Sequence, residues 1–256
     1  MTPPKSAVSE AAAASRTRAG RPAMGPGVTG AMAPGVAALI PALFAAALYL
    51  PALHYGWVWD DSTLVAAHAT SSAAAKQGFH PAVTALYRLE WLAGIGNPAF
   101  YHFVSIVLHA LATWLVFLLI AGTGAGTALA FAASLLFAAH PIHTEAVAYV
   151  SGRPDLLATA AALGALVLAR SAPVCAPGGC RSWRIWPAYL LLAVAVLSDE
   201  VALVTPLLLI GLDRWSASRI EDKGRATVYW GFTAVALAGL LARIGAHALR
   251  LAERHD

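Results

Sequence analysis

The chain has 256 residues, 59% of them hydrophobic and only 12% charged, with a formal net charge of +4. Its mean hydropathy of +0.67 is too high for a soluble domain, whose apolar share is nearer half. The positive surplus sits in the N-terminal stretch (Lys5, Arg16, Arg18, Arg21) and two short loops; without a basic stripe interleaved with exposed aromatics, nucleic-acid binding is excluded.

A membrane span needs about 20 apolar residues, so the apolar content predicts an all-α polytopic membrane helix bundle of about seven spans. Residues 1–33, rich in Ala, Pro, Gly and Ser, read as a disordered basic tail. Residues 34–247 read as the membrane module and 248–256 as a polar C-terminal tail. A cleaved signal peptide is not expected, because no small-residue cleavage site follows within a short distance. Span one runs from Gly35 to Leu53. His54 to Pro98 holds no spanning run and reads as a long outer loop carrying one or two interfacial helices, with Trp57, Trp59 and Trp91 near the headgroups.

Span two is Tyr101 to Ala121, followed by a glycine turn over Gly122–Gly126. Spans three and four are Ala128 to Ala139 and Pro154 to Leu168. Spans five, six and seven are Ile185 to Leu197, Val201 to Leu212 and Val228 to Ala246. Spans three to six are short for a full crossing, which suggests polar residues set into a cavity of the bundle. The Lys and Arg of the tail and of the 170–184 and 213–225 loops put the N-terminus and both loops in the cytoplasm. The opposite face then receives the 54–98 loop, the 140–153 segment, the 198–200 break and the C-terminal tail, whose Arg250 and Arg254 run against that rule. Cys175 and Cys180, in a loop on the cytoplasmic side, lack a second Cys or His pair, so neither a disulfide nor a metal is expected of them.

Ionisable residues at the edge of a membrane domain cost free energy to hold there and mark function. Four clusters share the outer face: Trp59-Asp60-Asp61, the run from His140 through His143 and Glu145, Gly152-Arg153-Pro154-Asp155, and Ser198-Asp199-Glu200. Asp60 or Asp61 is the candidate catalytic base; the competing role is a helix cap with a solvated charge. Where the donor is a sugar on a lipid phosphate, one carboxylate suffices, because phosphate is already a good leaving group. Arg88 is a candidate contact for a lipid phosphate or an interfacial arginine reaching for headgroups. His140, His143 and Glu145 read as polar cavity lining; His-x-x-His with Glu admits a metal, but His-Glu-x-x-His on one helix is absent and no metal ligand is assigned. Arg153 and Asp155 pair or serve the same cavity. His102 and His109, on one helix face, read as buried and hydrogen-bonded.

These clusters, in this order, resemble the C-type integral-membrane glycosyltransferases, in particular the membrane part of the transmembrane and tetratricopeptide-repeat O-mannosyltransferases. The resemblance covers residues 36 to 245. It rests on Trp59-Asp60-Asp61, Tyr87-Arg88, Asn97-Pro98 through His109-Ala110, His140-Pro141-Ile142-His143-Thr144-Glu145-Ala146-Val147, Gly152-Arg153-Pro154-Asp155-Leu156-Leu157, and Ser198-Asp199-Glu200 with Pro206. It implies transfer of a sugar, mannose in the family, from a polyprenyl-phosphate carrier to a hydroxyl of a protein or glycan acceptor at the outer membrane face. Asp60 or Asp61 would be the base, and Arg88, His140, His143, Glu145, Arg153, Asp155 and Glu200 would contact substrate. No cofactor is implied beyond the donor lipid; a requirement for a divalent metal stays open.

The Ala-rich, Arg-over-Lys composition points to a bacterial inner membrane. Relatives have Tyr-Arg-Pro-Leu and Ser-Lys-Glu where this chain has Tyr87-Arg88-Leu89-Glu90 and Ser198-Asp199-Glu200. No repeat of about 34 residues follows. A shortened, non-catalytic relative that binds lipid or a partner is therefore the alternative.

Overall fold

A computed structural model describes residues 34–70, 79–93, 96–171, 183–216 and 225–252. The 1–33 tail, Cys175 and Cys180, Arg219, Lys223 and Arg254 lie outside the described residues. Eleven α-helices stand among those described: α1 (Pro34–Ala37), α2 (Leu39–Tyr49), α3 (Asp61–Thr70), α4 (Pro81–Leu92), α5 (Pro98–Ala121), α6 (Thr127–Ala139), α7 (His143–Ala148), α8 (Arg153–Ser171), α9 (Trp186–Ser198), α10 (Thr205–Trp215) and α11 (Arg225–Ala252). No strand occurs among the described residues.

Local chemistry sets the helix starts. Proline stands in the first turn of α4, α5, α9 and α10, where its missing N–H is one the helix cannot use. Asn97 caps α5 by accepting a hydrogen bond from the Ala99 N–H at 3.0 Å. The predicted glycine turn is present: Gly124 and Gly126 have φ of +84° and +88°, the left-handed region that only glycine enters freely.

Helices α5, α8, α9 and α11 pack side by side in that order, and α2 and α6 cover the other flank of α5. Small residues permit this closeness, as in membrane bundles generally. Ala158, Ala161, Ala165 and Ala169 of α8 and Ala188 and Ala195 of α9 belong to one buried core with Leu192, Leu209 and Phe232. On α11, a Cβ at Gly239 would come within 2.1 Å of the Val196 side chain.

Among the described residues, four segments are long and apolar enough to cross a membrane: Gly35–His54, Pro98–Ala121, Val150–Ser171 and Arg225–Ala252. The expected count was about seven; the helices at the remaining predicted spans are shorter. At 1.5 Å per residue, α6, α9 and α10 reach only about 16–20 Å, against about 30 Å of hydrocarbon. The fourth predicted span is longer than expected, since its helix begins at Arg153 and ends at Ser171. The stretch predicted to hold one or two short helices holds α3 and α4. Helix α11 runs on to Ala252, so the tail assigned from residue 248 begins inside it.

One end of the bundle is tied by a charge cluster. Asp213 of α10 pairs with Arg170 of α8 and with Arg225 of α11, whose Nε lies 3.0 Å from it. It also accepts a hydrogen bond from the Tyr229 hydroxyl at 3.0 Å. Arg225 donates in turn to the Ala169 carbonyl at 2.6 Å. Two guanidiniums on one buried carboxylate make Asp213 the common anchor of three helices. Asp213→Asn keeps an acceptor but removes the charge, and it is expected to cost about 1–3 kcal/mol, read as a lower thermal midpoint in detergent.

Candidate active site

The four clusters expected on the outer face meet at the other end of the bundle. The Val58–Asp61 turn, closed by a hydrogen bond from the Asp61 N–H to the Val58 carbonyl at 3.0 Å, holds the acidic pair. Trp59 within it has φ of +51°, a conformation that costs a non-glycine residue about 1–2 kcal/mol. The two carboxylates differ in setting. Asp61 is fully buried, and its carboxylate accepts the N–H groups of Ser151 at 2.9 Å, Val58 at 3.2 Å and Val150 at 3.3 Å. It therefore pins this turn to the start of the α8 segment. Asp60 is exposed; its backbone carbonyl starts α3 by accepting from the Leu64 N–H at 2.8 Å.

A cleft of about 560 Å³ lies beside the turn, lined by Tyr55, Val58, Pro141, Ile142, Thr144, Glu145, Ala148 and Tyr149. Glu145 is its carboxylate. Exposed His140 uses Nδ1 to accept the Ile142 N–H at 3.3 Å, and half-buried His143 packs on Phe137 with ring centroids 4.4 Å apart. Among the described residues neither histidine lines the cleft. Burial, and secondarily the His140 charge, holds His143 below the usual imidazole range. His102 and His109 are buried as their spacing predicts; each ring donates to a carbonyl, of Gly56 and of Ala138, at 3.3 Å.

Arg153 is wholly buried. Its Nη1 donates to both Glu90 oxygens at 2.5 and 2.6 Å, and its Nη2 to the Tyr101 carbonyl at 2.6 Å and the Ser105 hydroxyl at 3.3 Å. The guanidinium also lies over the Tyr87 ring, 5.1 Å from its centroid. So placed, Arg153 joins α4, α5 and α8 rather than lining the cleft. Burial raises the Glu90 carboxyl above its ordinary value, and the Arg153 charge and hydrogen bond oppose that. Burial likewise pushes the Tyr87 hydroxyl upward, and that hydroxyl donates to the Val150 carbonyl at 2.6 Å.

Asp155 is exposed and lies within electrostatic reach of Asp199, Glu145, Glu200 and His80. Asp199 caps the turn after α9 by accepting the Val201 N–H at 3.0 Å, and lies 4.0 Å from His80. His80 donates to the Ser198 carbonyl at 2.5 Å. Glu200, largely exposed, is paired with Arg243 of α11 at 3.0 Å. Arg243 also reaches the Val196 carbonyl at 2.8 Å. Arg88 lies exposed on α4, on the helix that brings Glu90 to Arg153. Among the described residues no three His, Cys, Asp or Glu side chains stand together as a metal-binding group.

Sequence reasoning did not single out Glu90, His80 or Arg243 as members of this end. Arg243 carried a readable signal, a lone arginine inside an apolar run, which membrane helices turn toward protein. Gly152 sets the approach of the 140–150 segment. A Cβ there would lie 2.8 Å from the Ala146 Cα and 2.9 Å from the Glu145 carbonyl oxygen. Backbone cannot swing aside as a side chain can. Gly152→Ala is therefore expected to cost about 1–3 kcal/mol, seen as a lower thermal midpoint.

Comparison with known proteins finds relatives over part of the chain. The chain is 34% identical over 185 residues to protein O-mannosyl-transferase Tmtc1 of Drosophila melanogaster, covering 64% of this chain and 21% of that protein. It is a relative of the Tmtc protein O-mannosyl-transferases. The Drosophila Tmtc2 enzyme is 35% identical over 187 residues, 64% of this chain and 20% of its own. Human TMTC1 is 35% identical over 155 residues, 57% of this chain and 18% of its own. The chain thus spans about a fifth of the length of these curated Tmtc relatives. No protein-family model matches it. No solved structure matches it.

Proposed function

We propose that the chain is a membrane glycosyltransferase that moves a sugar, mannose by analogy with its named relatives, from a polyprenyl-phosphate carrier to an acceptor hydroxyl. The acceptor is a protein or a glycan, and the site faces outward from a bacterial inner membrane whose cytoplasm holds the N-terminus. Asp60 is the base. It takes the proton of the acceptor hydroxyl as that oxygen attacks the anomeric carbon. The carbon–oxygen bond to phosphate breaks, and the polyprenyl phosphate leaves with the electron pair. Displacement is direct, and no general acid is required.

The observation that carries this assignment is the unequal setting of the two aspartates. Asp61 spends its carboxylate on three backbone N–H groups, while Asp60 stays exposed, two residues after Val58, which lines the cleft. Asp61 then acts as a positioning residue for Asp60, and Arg153 for the floor beneath both. Glu145 of the cleft is the candidate contact for sugar hydroxyls. Asp155, Glu200, His140, His143 and Arg88 remain candidate contacts around it.

The competing reading is a non-catalytic relative that binds lipid or a partner. Asp199 favours it, since an anion stands there among Asp155 and Glu200. The experiment is transfer of labelled mannose from polyprenyl-phosphate mannose to membrane and protein acceptors by the protein in lipid discs. Transfer supports the enzyme. Binding of the donor without transfer, beside an active longer relative, supports the competing reading.

A further inference from the structure

Trp59 is the most conspicuous side chain at this end that the chemistry above leaves unused. It is 91% exposed, held at a left-handed φ of +51°, and stacked on Tyr149 with ring centroids 6.0 Å apart and planes 19° from parallel. Tyr149 lines the cleft, as does Val58, the residue before Trp59. A ring that served only to rest in the headgroup layer would need no strained backbone and no fixed partner. Here both are present, and they set a flat aromatic surface beside a cleft whose polar lining includes Glu145 and Thr144.

Flat aromatic faces beside hydrogen-bonding groups suit a pyranose ring. One face of such a sugar presents C–H groups to the electron-rich ring face, and its hydroxyls seek carboxylate and hydroxyl partners. We propose that Trp59, backed by Tyr149, is the platform on which the sugar ring of the lipid-linked donor stacks, with Glu145 and Thr144 engaging its hydroxyls. This inference rests on the glycosyltransferase reading and specifies its sugar subsite. The strain at Trp59 then has a use: it fixes the indole before substrate arrives, so that binding need not order it.

The test measures binding of two probes, farnesyl-phosphate mannose and farnesyl phosphate, to the protein in lipid discs, with transfer assayed in parallel. The wild type is expected to bind the mannosyl lipid more tightly than the bare lipid phosphate. Trp59→Leu should weaken the mannosyl lipid by about three- to tenfold, the size of one aromatic contact, and leave farnesyl phosphate unchanged. Trp59→Phe should restore most of the difference. Equal weakening of both probes would make Trp59 a lipid anchor and overturn the platform; so would a wild type that does not distinguish the two lipids. Mannose-dependent binding that Trp59→Leu removes, without transfer by the wild type, keeps the platform and sinks only the chemistry. Transfer with Trp59→Leu binding as the wild type does the reverse.

Discussion

Asp60→Asn is expected to lower the transfer rate by about 10²–10⁴-fold, the usual contribution of a positioned base, while leaving the thermal midpoint within experimental scatter. The side chain is exposed, and the contact it makes in starting α3 comes from its backbone carbonyl, which asparagine retains. Asp61→Asn should behave differently. Its two oxygens accept from three N–H groups, and an amide would turn a donor toward at least one of them. The expected cost is about 1–3 kcal/mol of stability, with activity falling because the turn loosens. The pair of variants is scored by initial rates and thermal unfolding on the same preparation. Full activity in Asp60→Asn would end its candidacy as the base.

Glu90→Ala is expected to be the most damaging single change to the fold. It strands the Arg153 guanidinium in a site with no exposure, and breaking a buried ion pair from one side costs about 3–5 kcal/mol. Arg153→Met strands Glu90 and should cost a similar amount. The double variant Glu90→Leu with Arg153→Met leaves no unpaired charge and is expected to recover much of the loss. Thermal midpoints of the two single variants and the double give the coupling directly. If the double variant is as unstable as the sum of the singles, the two residues act independently and Arg153 does not organise this end.

Much of the site was legible because charge in an apolar chain is expensive. The Asp60-Asp61 pair, the Arg153–Asp155 run and the Ser198–Glu200 break were visible as interruptions, and their alternation along the chain put them at one end. Their partners were not. Asp61 bonds to residues about 90 positions later, and Glu90 finds Arg153 across 63, separations that no periodicity records. Arg153 was a candidate substrate contact through the family resemblance; its burial against Tyr87 and Tyr101 is a tertiary feature that the local sequence does not display. The span count of about seven and the four long segments differ for a simpler reason. Hydropathy registers apolar runs, and α6, α9 and α10 are apolar without being long.

The guanidiniums of Arg225 and Arg243 sit on one helix, 18 residues apart in sequence, which is about 27 Å along the axis. Each is pinned, the first by Asp213 and the Ala169 carbonyl, the second by Glu200 and the Val196 carbonyl. Both charges are therefore spent on neighbouring segments, holding α11 to α8 and α10 at one end and to α9 and the turn after it at the other. Of the four apolar segments α11 is the least buried, so these two ends carry much of its attachment to the bundle.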